Sequence, residues 1–268
     1  MARVDRRSWL VAAGLVGLAA WLLIAQPWRG PDPALVAPSS GAGEPPAEPA
    51  VSYPPAMAIA DVYAGFTRPG RAFVGRTAAM LDVVAAGDLV LPTGRIVASD
   101  VFLLGTEPFT TTVARGRYPV TLLSATTDAA LGADVAAAMV RFAPGDPASW
   151  RLALLAGQDV TTLEPGTFFG YGVDSGTGCF ASIEAVERVA AQPDFDAYSA
   201  QLQAAMFPTP DARNLFADVV VDPATGANII GFPSGFGDGG YASWFGLDSA
   251  GVPLVLVTDF GIIDAPAS

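Results

Sequence analysis

The sequence predicts an α+β protein, a mainly antiparallel β-sheet domain with a short two-helix insertion, preceded by one N-terminal transmembrane helix. Three observations carry this expectation. The 29 Gly and 23 Pro among 268 residues cut long helices short and favour short strands joined by tight turns. Strand-like runs follow one another instead of alternating with helices, which is the pattern of an antiparallel sheet. Arg3, Arg6 and Arg7 precede an unbroken apolar run from Trp9 to Ala25, about 17 residues and long enough to cross a bilayer as a helix.

Residues 1–26 therefore read as a signal anchor. The positive-inside rule keeps its arginines in the cytoplasm and places the rest of the chain outside, which makes a single-pass protein of the cell membrane. The alternative is secretion after cleavage. Leu23-Ile24-Ala25 is a weak small-x-small site, and Arg6-Arg7-Ser8-Trp9-Leu10 is similar to a twin-arginine export signal. Residues 27–56 carry Pro27, Pro31, Pro33, Pro38, Pro45, Pro46, Pro49, Pro54 and Pro55. Such a stretch is an extended spacer with a reach of about 80–90 Å at ~3.1 Å per residue.

Residues 57–268 form the domain. Leu81–Ala85, Leu89–Leu91 and Arg95–Ala98 are short apolar runs broken by Gly87-Asp88 and Pro92-Thr93-Gly94, the signature of a meander. Tyr118–Ala125, Asp134–Phe142 and Phe168–Asp174 continue it, although the alanine-rich Asp134–Phe142 also suits a helix. Ser182–Gln192 and Asp194–Met206 show helical spacing, with Ser182 and Asp194 as N-caps and Glu184, Glu187 and Asp196 near the positive ends. Phe216–Val221, Asn228–Phe232, Tyr241–Leu247 and Pro253–Phe260 return to strand.

Composition excludes several chemistries. The net charge is -12, which opposes binding to phosphate backbones, so nucleic acid is not an expected partner. All 14 basic side chains are Arg and there is no His. That removes Ser-His-Asp and Cys-His activation, His-ligated metal, Schiff bases and the phosphate-loop lysine. Any catalysis would fall to carboxylates, Arg, Tyr, Ser, Thr or a hard cation. The single Cys179 has no partner for an internal disulfide and reads as a buried packing thiol.

Four blocks taken together are similar to one known family. They are Gly87-Asp88-Leu89-Val90-Leu91-Pro92-Thr93-Gly94-Arg95-Ile96-Val97-Ala98-Ser99-Asp100, Gly116-Arg117-Tyr118-Pro119-Val120, Val173-Asp174-Ser175-Gly176-Thr177-Gly178-Cys179-Phe180, and Ser234-Gly235-Phe236-Gly237-Asp238-Gly239-Gly240-Tyr241 with Asp259-Phe260. In this order they resemble the bacterial domain-of-unknown-function family 4241, over roughly Gly75 to Asp264. The resemblance implies a shared fold and carries no catalytic residue across. Val101 after Asp100, Arg151 after Trp150, and Ser182 depart from the family's usual residues.

The candidate site residues are Asp100, Asp174, Asp238 and Asp259, which sit at strand ends or turns. Brought together, they would bind Ca²⁺ or Mg²⁺ through an all-oxygen shell; otherwise no cofactor is expected. Val173-Asp174-Ser175-Gly176-Thr177, with Ile229-Ile230-Gly231 following, has the form of an aspartic-protease element, which needs a second aspartate to share a proton. Its bland counterpart is a turn in which Asp174 accepts backbone N–H bonds and Gly176 and Gly178 supply positive φ. Gly235-x-Gly237-x-x-Gly240 has the spacing of a dinucleotide fingerprint, yet it is followed by strand-like sequence and reads as a turn. Tyr241, Trp244 and Phe245 are either a binding surface or core. The function expected is a non-catalytic binding or interaction module at the cell envelope, its partner an envelope protein or a small ligand. The alternative is a carboxylate-based hydrolase centred on Asp174.

Overall fold

The computed structural model describes residues 28–29, 58–74, 77–128, 132–165, 167–191, 195–209 and 214–264. The apolar run Trp9–Ala25, the spacer apart from 28–29, and Asp194 lie outside them. No helix among the described residues is long and apolar enough to cross a membrane.

In chain order the elements are β1 (Trp28–Arg29), α1 (Ile59–Thr67), β2 (Arg71–Val74), β3 (Thr77–Leu91), β4 (Ile96–Asp100), β5 (Gly116–Asp128), β6 (Gly132–Arg141) and β7 (Ser149–Leu152). After a 3₁₀ turn at Val160–Thr162 come β8 (Thr167–Phe168), β9 (Tyr171–Val173), β10 (Thr177–Ser182), α2 (Ile183–Ala190) and α3 (Phe195–Met206). The chain closes with β11 (Ala217–Asp222), β12 (Ala227–Pro233), β13 (Gly239–Tyr241), β14 (Ser243–Leu247) and β15 (Pro253–Asp259). Antiparallel pairing builds a seven-stranded sheet, β2-β3-β5-β6-β15-β14-β7, a four-stranded sheet, β11-β12-β10-β4, and two short ribbons, β13-β9 and β1-β8.

The two large sheets pack face to face. Leu89, Leu91, Leu122, Val140 and Leu256 from one meet Ile96, Phe180, Ile230 and Phe232 from the other. Because side chains alternate along a strand, Cys179, Ala181 and Ile229 point the opposite way, where they are covered by Val186 and Val189 of α2 and by Tyr198, Leu202 and Met206 of α3. Strands β10 and β12 are thus buried on both faces at every residue. The far face of the seven-stranded sheet is covered by α1, whose Val62, Tyr63 and Phe66 pack on Leu81, Leu123, Met139 and Val257. The result is four layers, helix–sheet–sheet–helix. Gly65 permits the close approach of α1, since a Cβ there would stand 2.6 Å from Leu123.

The antiparallel α+β class expected from the sequence is present, with differences in detail. The helices at 183–190 and 195–206 form as read, and Ser182 caps the first by accepting from the Ala185 N–H at 3.0 Å. A third helix, α1, was not foreseen. The break expected at Gly87-Asp88 is a bulge inside one 15-residue strand, with Gly87 at φ 97°. The ladder resumes because β5 continues as partner on both sides of the bulge. The alanine-rich segment is strand β6, since small side chains fit between β5 and β15 with core on both faces. Buried Asn228 ties the bulge to the second sheet. Its Nδ2 donates to the Asp88 carbonyl at 3.0 Å and its Oδ1 accepts from the Val90 N–H at 2.8 Å.

Candidate functional site

Strand β4 ends at Asp100, opposite Gly178 of β10. The side chain is 2 % exposed, and burying a carboxylate at that depth demands hydrogen bonds. Asp100 receives five. Its Oδ1 accepts from Phe102 N at 2.7 Å, Leu103 N at 3.1 Å and Ser175 Oγ at 2.9 Å. Its Oδ2 accepts from Asp174 N at 2.9 Å and Ser175 N at 2.8 Å. Asp100 therefore staples the turn after β4 to the turn between β9 and β10. Tyr198 of α3 donates to the Val101 carbonyl at 3.1 Å and joins the same corner.

The expected turn at Asp174–Thr177 is present, but its acceptor is Asp100 and the Asp174 side chain is exposed. Gly176 adopts φ 64°, whereas Gly178 lies within β10. Beside this turn sits a second, Ser234–Asp238, with Gly235 at φ 58° and Gly237 at φ 118°. The two are joined by Ser234 N donating to Gly176 O at 3.1 Å. A Cβ on Gly176 would stand 3.5 Å from Gly237 Cα and 4.0 Å from Asp238 Oδ1. The second turn is fixed internally. Ser234 Oγ donates to the Gly237 carbonyl at 2.8 Å, the Tyr241 hydroxyl lies 2.7 Å from the same oxygen, and Gly237 N donates to Ser234 O at 3.0 Å. Strand β13 follows, so the glycines turn the chain between strands and open no helix.

At the tip of that turn stands Phe236, 73 % exposed, the most exposed large apolar side chain among the described residues. Sequence reading passed over it. The available signal was an aromatic isolated between two glycines, with no strand period to carry it inward. Asp174 and Asp238, both exposed, flank this knuckle.

Asp259 lies at the end of β15 opposite Ala137, its N–H donating to the Ala242 carbonyl at 3.3 Å. It keeps some contact with water, but burial pushes its carboxyl up to about 6 against the opposing pull of the Gly261 N–H, 2.9 Å from Oδ1. No other carboxylate contributes to that shift. Between pH ~4 and ~6 the folded chain holds a proton that the unfolded chain has released, so this group's stabilisation is lost as pH rises through the window. Asp259→Asn should therefore gain stability relative to the parent between pH 4 and 6 and stay level above it, read from urea midpoints across that range. Equal pH profiles would refute the assignment.

The structure thus brings the turns of Asp100, Asp174 and Asp238 to one corner, with Asp100 consumed by its five donors, and places Asp259 next to Phe260, which packs against Gly235 and Tyr241 of the same knuckle. No group of three or more Cys, Asp or Glu among the described residues is arranged to hold a metal ion. Cys179 is fully buried 3.6 Å from Ser99 Oγ, and burial raises its thiol to about 12. Tyr241 supports the knuckle from below, its ring edge-on to Phe260 at 5.0 Å. Trp244 packs with Leu152, Phe169 and Ala242, and Phe245 is core.

The sequence model of a family described as protein of unknown function (DUF4241) matches residues 89–258, which span β3 to β15 and the whole corner. No curated protein and no solved structure matches the chain.

Proposed function

The chain belongs to the DUF4241 family, and from that premise we propose that its domain is a non-catalytic binding module of the cell envelope that grips a basic partner segment through the Phe236 knuckle. The single observation behind this reading is an aromatic, 73 % exposed, at the tip of a turn whose backbone is held by its own hydrogen bonds. Burying one Phe is worth about 1.5–3 kcal/mol, a gain that the free domain forgoes at this position. The exposed Asp174 and Asp238 beside it, in a chain of net charge -12, select a cationic partner, because Arg and Lys pair with carboxylates and stack on aromatic rings. The anchor at residues 9–25 and the spacer at 27–56 hold the module outside the membrane in this proposal.

The test is binding of the full-length protein to a hexa-arginine peptide, followed by fluorescence anisotropy. Phe236→Ala should weaken binding about tenfold, equivalent to ~1.4 kcal/mol. Asp174→Asn with Asp238→Asn should weaken it further and flatten its salt dependence, with the unfolding midpoint unmoved. Unchanged affinity in both variants would discard the knuckle. The meeting of the turns that carry Asp174 and Asp238 favours a second reading, a carboxylate-based hydrolase. Hydrolysis abolished by Asp174→Asn in a protein that still binds would establish it instead.

A further inference from the structure

We infer that the hollow between the end of β3 and the start of β5 is an oxyanion-binding site, distinct from the knuckle. It is a shallow depression open to solvent, about 430 Å³, lined by Val90, Leu91, Pro92, Arg115, Gly116 and Arg117. The register explains the lining, because Val90 pairs with Arg117 and Leu91 with Gly116. Two of the family-like blocks, Gly87–Asp100 and Gly116–Val120, meet here.

The charges are placed against the trend of the chain. Acidic residues outnumber basic ones 26 to 14, yet both charged side chains lining this hollow are guanidinium groups. Arg115 is exposed, and no carboxylate pairs with it among the described residues. Arg117 meets Asp88 only loosely, Nε to Oδ2 at 3.7 Å, with the two side chains 64 % and 49 % exposed. A pair so open to water is worth little, and it leaves the terminal nitrogens of Arg117 available. A guanidinium presents a planar fork of donors that matches a carboxylate or phosphate through two parallel hydrogen bonds. Pro92, half-buried beside them, gives the carbon part of a ligand an apolar surface to rest on, while Val90 and Leu91 behind it are buried. The ligand class is a small molecule with an oxyanion at one end and an apolar body at the other.

The test uses the full-length chain titrated with benzoate, phenyl phosphate and benzylamine by ligand-observed NMR. Binding of either oxyanion with Kd near or below about 1 mM, and none of the amine, is the expected result. The tighter of the two identifies the source as a carboxylate or a phosphate monoester. Arg115→Ala with Arg117→Ala should raise Kd at least tenfold and the milder Arg117→Gln should raise it by less, each with an unfolding midpoint equal to the parent's. Failure of both oxyanions to bind at about 10 mM, equal binding of the amine, or indifference to both sets of substitutions overturns the proposal. Phe236→Ala should leave this binding untouched, so the two sites fail or survive separately.

Discussion

Replacing Asp100 with Ala should cost about 3–5 kcal/mol of folding stability, the range for removing the partner from a buried, charged hydrogen-bond network. The buried carboxylate leaves behind four backbone N–H groups and one hydroxyl that had converged on it. No neighbouring side chain takes its place, because Ser175 is itself a donor to Asp100. Asp100→Asn keeps one acceptor oxygen but turns an NH₂ group toward donors, so it should lose most of the same stability. Urea denaturation measures both, and a loss below about 1 kcal/mol for the Ala variant would mean that the staple does not hold the corner. Because Asp100 fixes the turn that abuts the Phe236 knuckle, partner binding should weaken in either variant along with stability.

Gly94→Ala should lower the unfolding temperature by roughly 5–15 °C, corresponding to about 2–4 kcal/mol in a domain of this size. Gly94 sits at φ 76°, and an added Cβ would stand 1.8 Å from the Val113 carbonyl oxygen. That atom is backbone, so no rotamer change relieves the clash. The crossing segment is held there by Val113 N donating to Gly94 O at 3.0 Å and Phe109 N to Ile96 O at 2.8 Å. Gly132→Ala is the matched control. Its φ is 85° with nothing within 4 Å of the added Cβ, so it should cost only the backbone strain, ~1 kcal/mol. Equal losses at the two positions would show that φ alone, and not the crossing, sets the cost at Gly94.

Much of this architecture was legible in the sequence, and the failures share a physical cause. Ser182 announced α2 because a cap is a local contact, satisfied three residues along the chain. Ile59–Thr67 carries no side-chain cap bond and follows directly on the proline-rich stretch, so nothing local marks it; its helix rests on packing against Leu81 and Leu123. The β6 alanines suit helix or strand on propensity alone, and tertiary pairing decided between them. At the candidate site the same divide holds. Asp100, Asp174 and Asp238 stood out as acids in turns, but three of the five donors to Asp100 come from 74 and 75 residues away, a distance over which no sequence spacing speaks. Phe236 escaped notice because exposure is a property of the finished turn.

The order β11-β12-β10-β4 carries a kinetic consequence. Only β11 and β12 are neighbours along the chain; β4 must find β10 about 80 positions later, and β6 must wait for β15 across more than 110. Each such closure spends loop entropy before any contact returns it. Folding on the millisecond-to-second scale follows, orders of magnitude slower than a helical bundle of equal stability. During that interval the strands bound for the centre, with Ile229-Ile230 and Cys179-Phe180 at their middles, stand unpaired in water, and whatever shields them in the cell must do so before the last strand arrives.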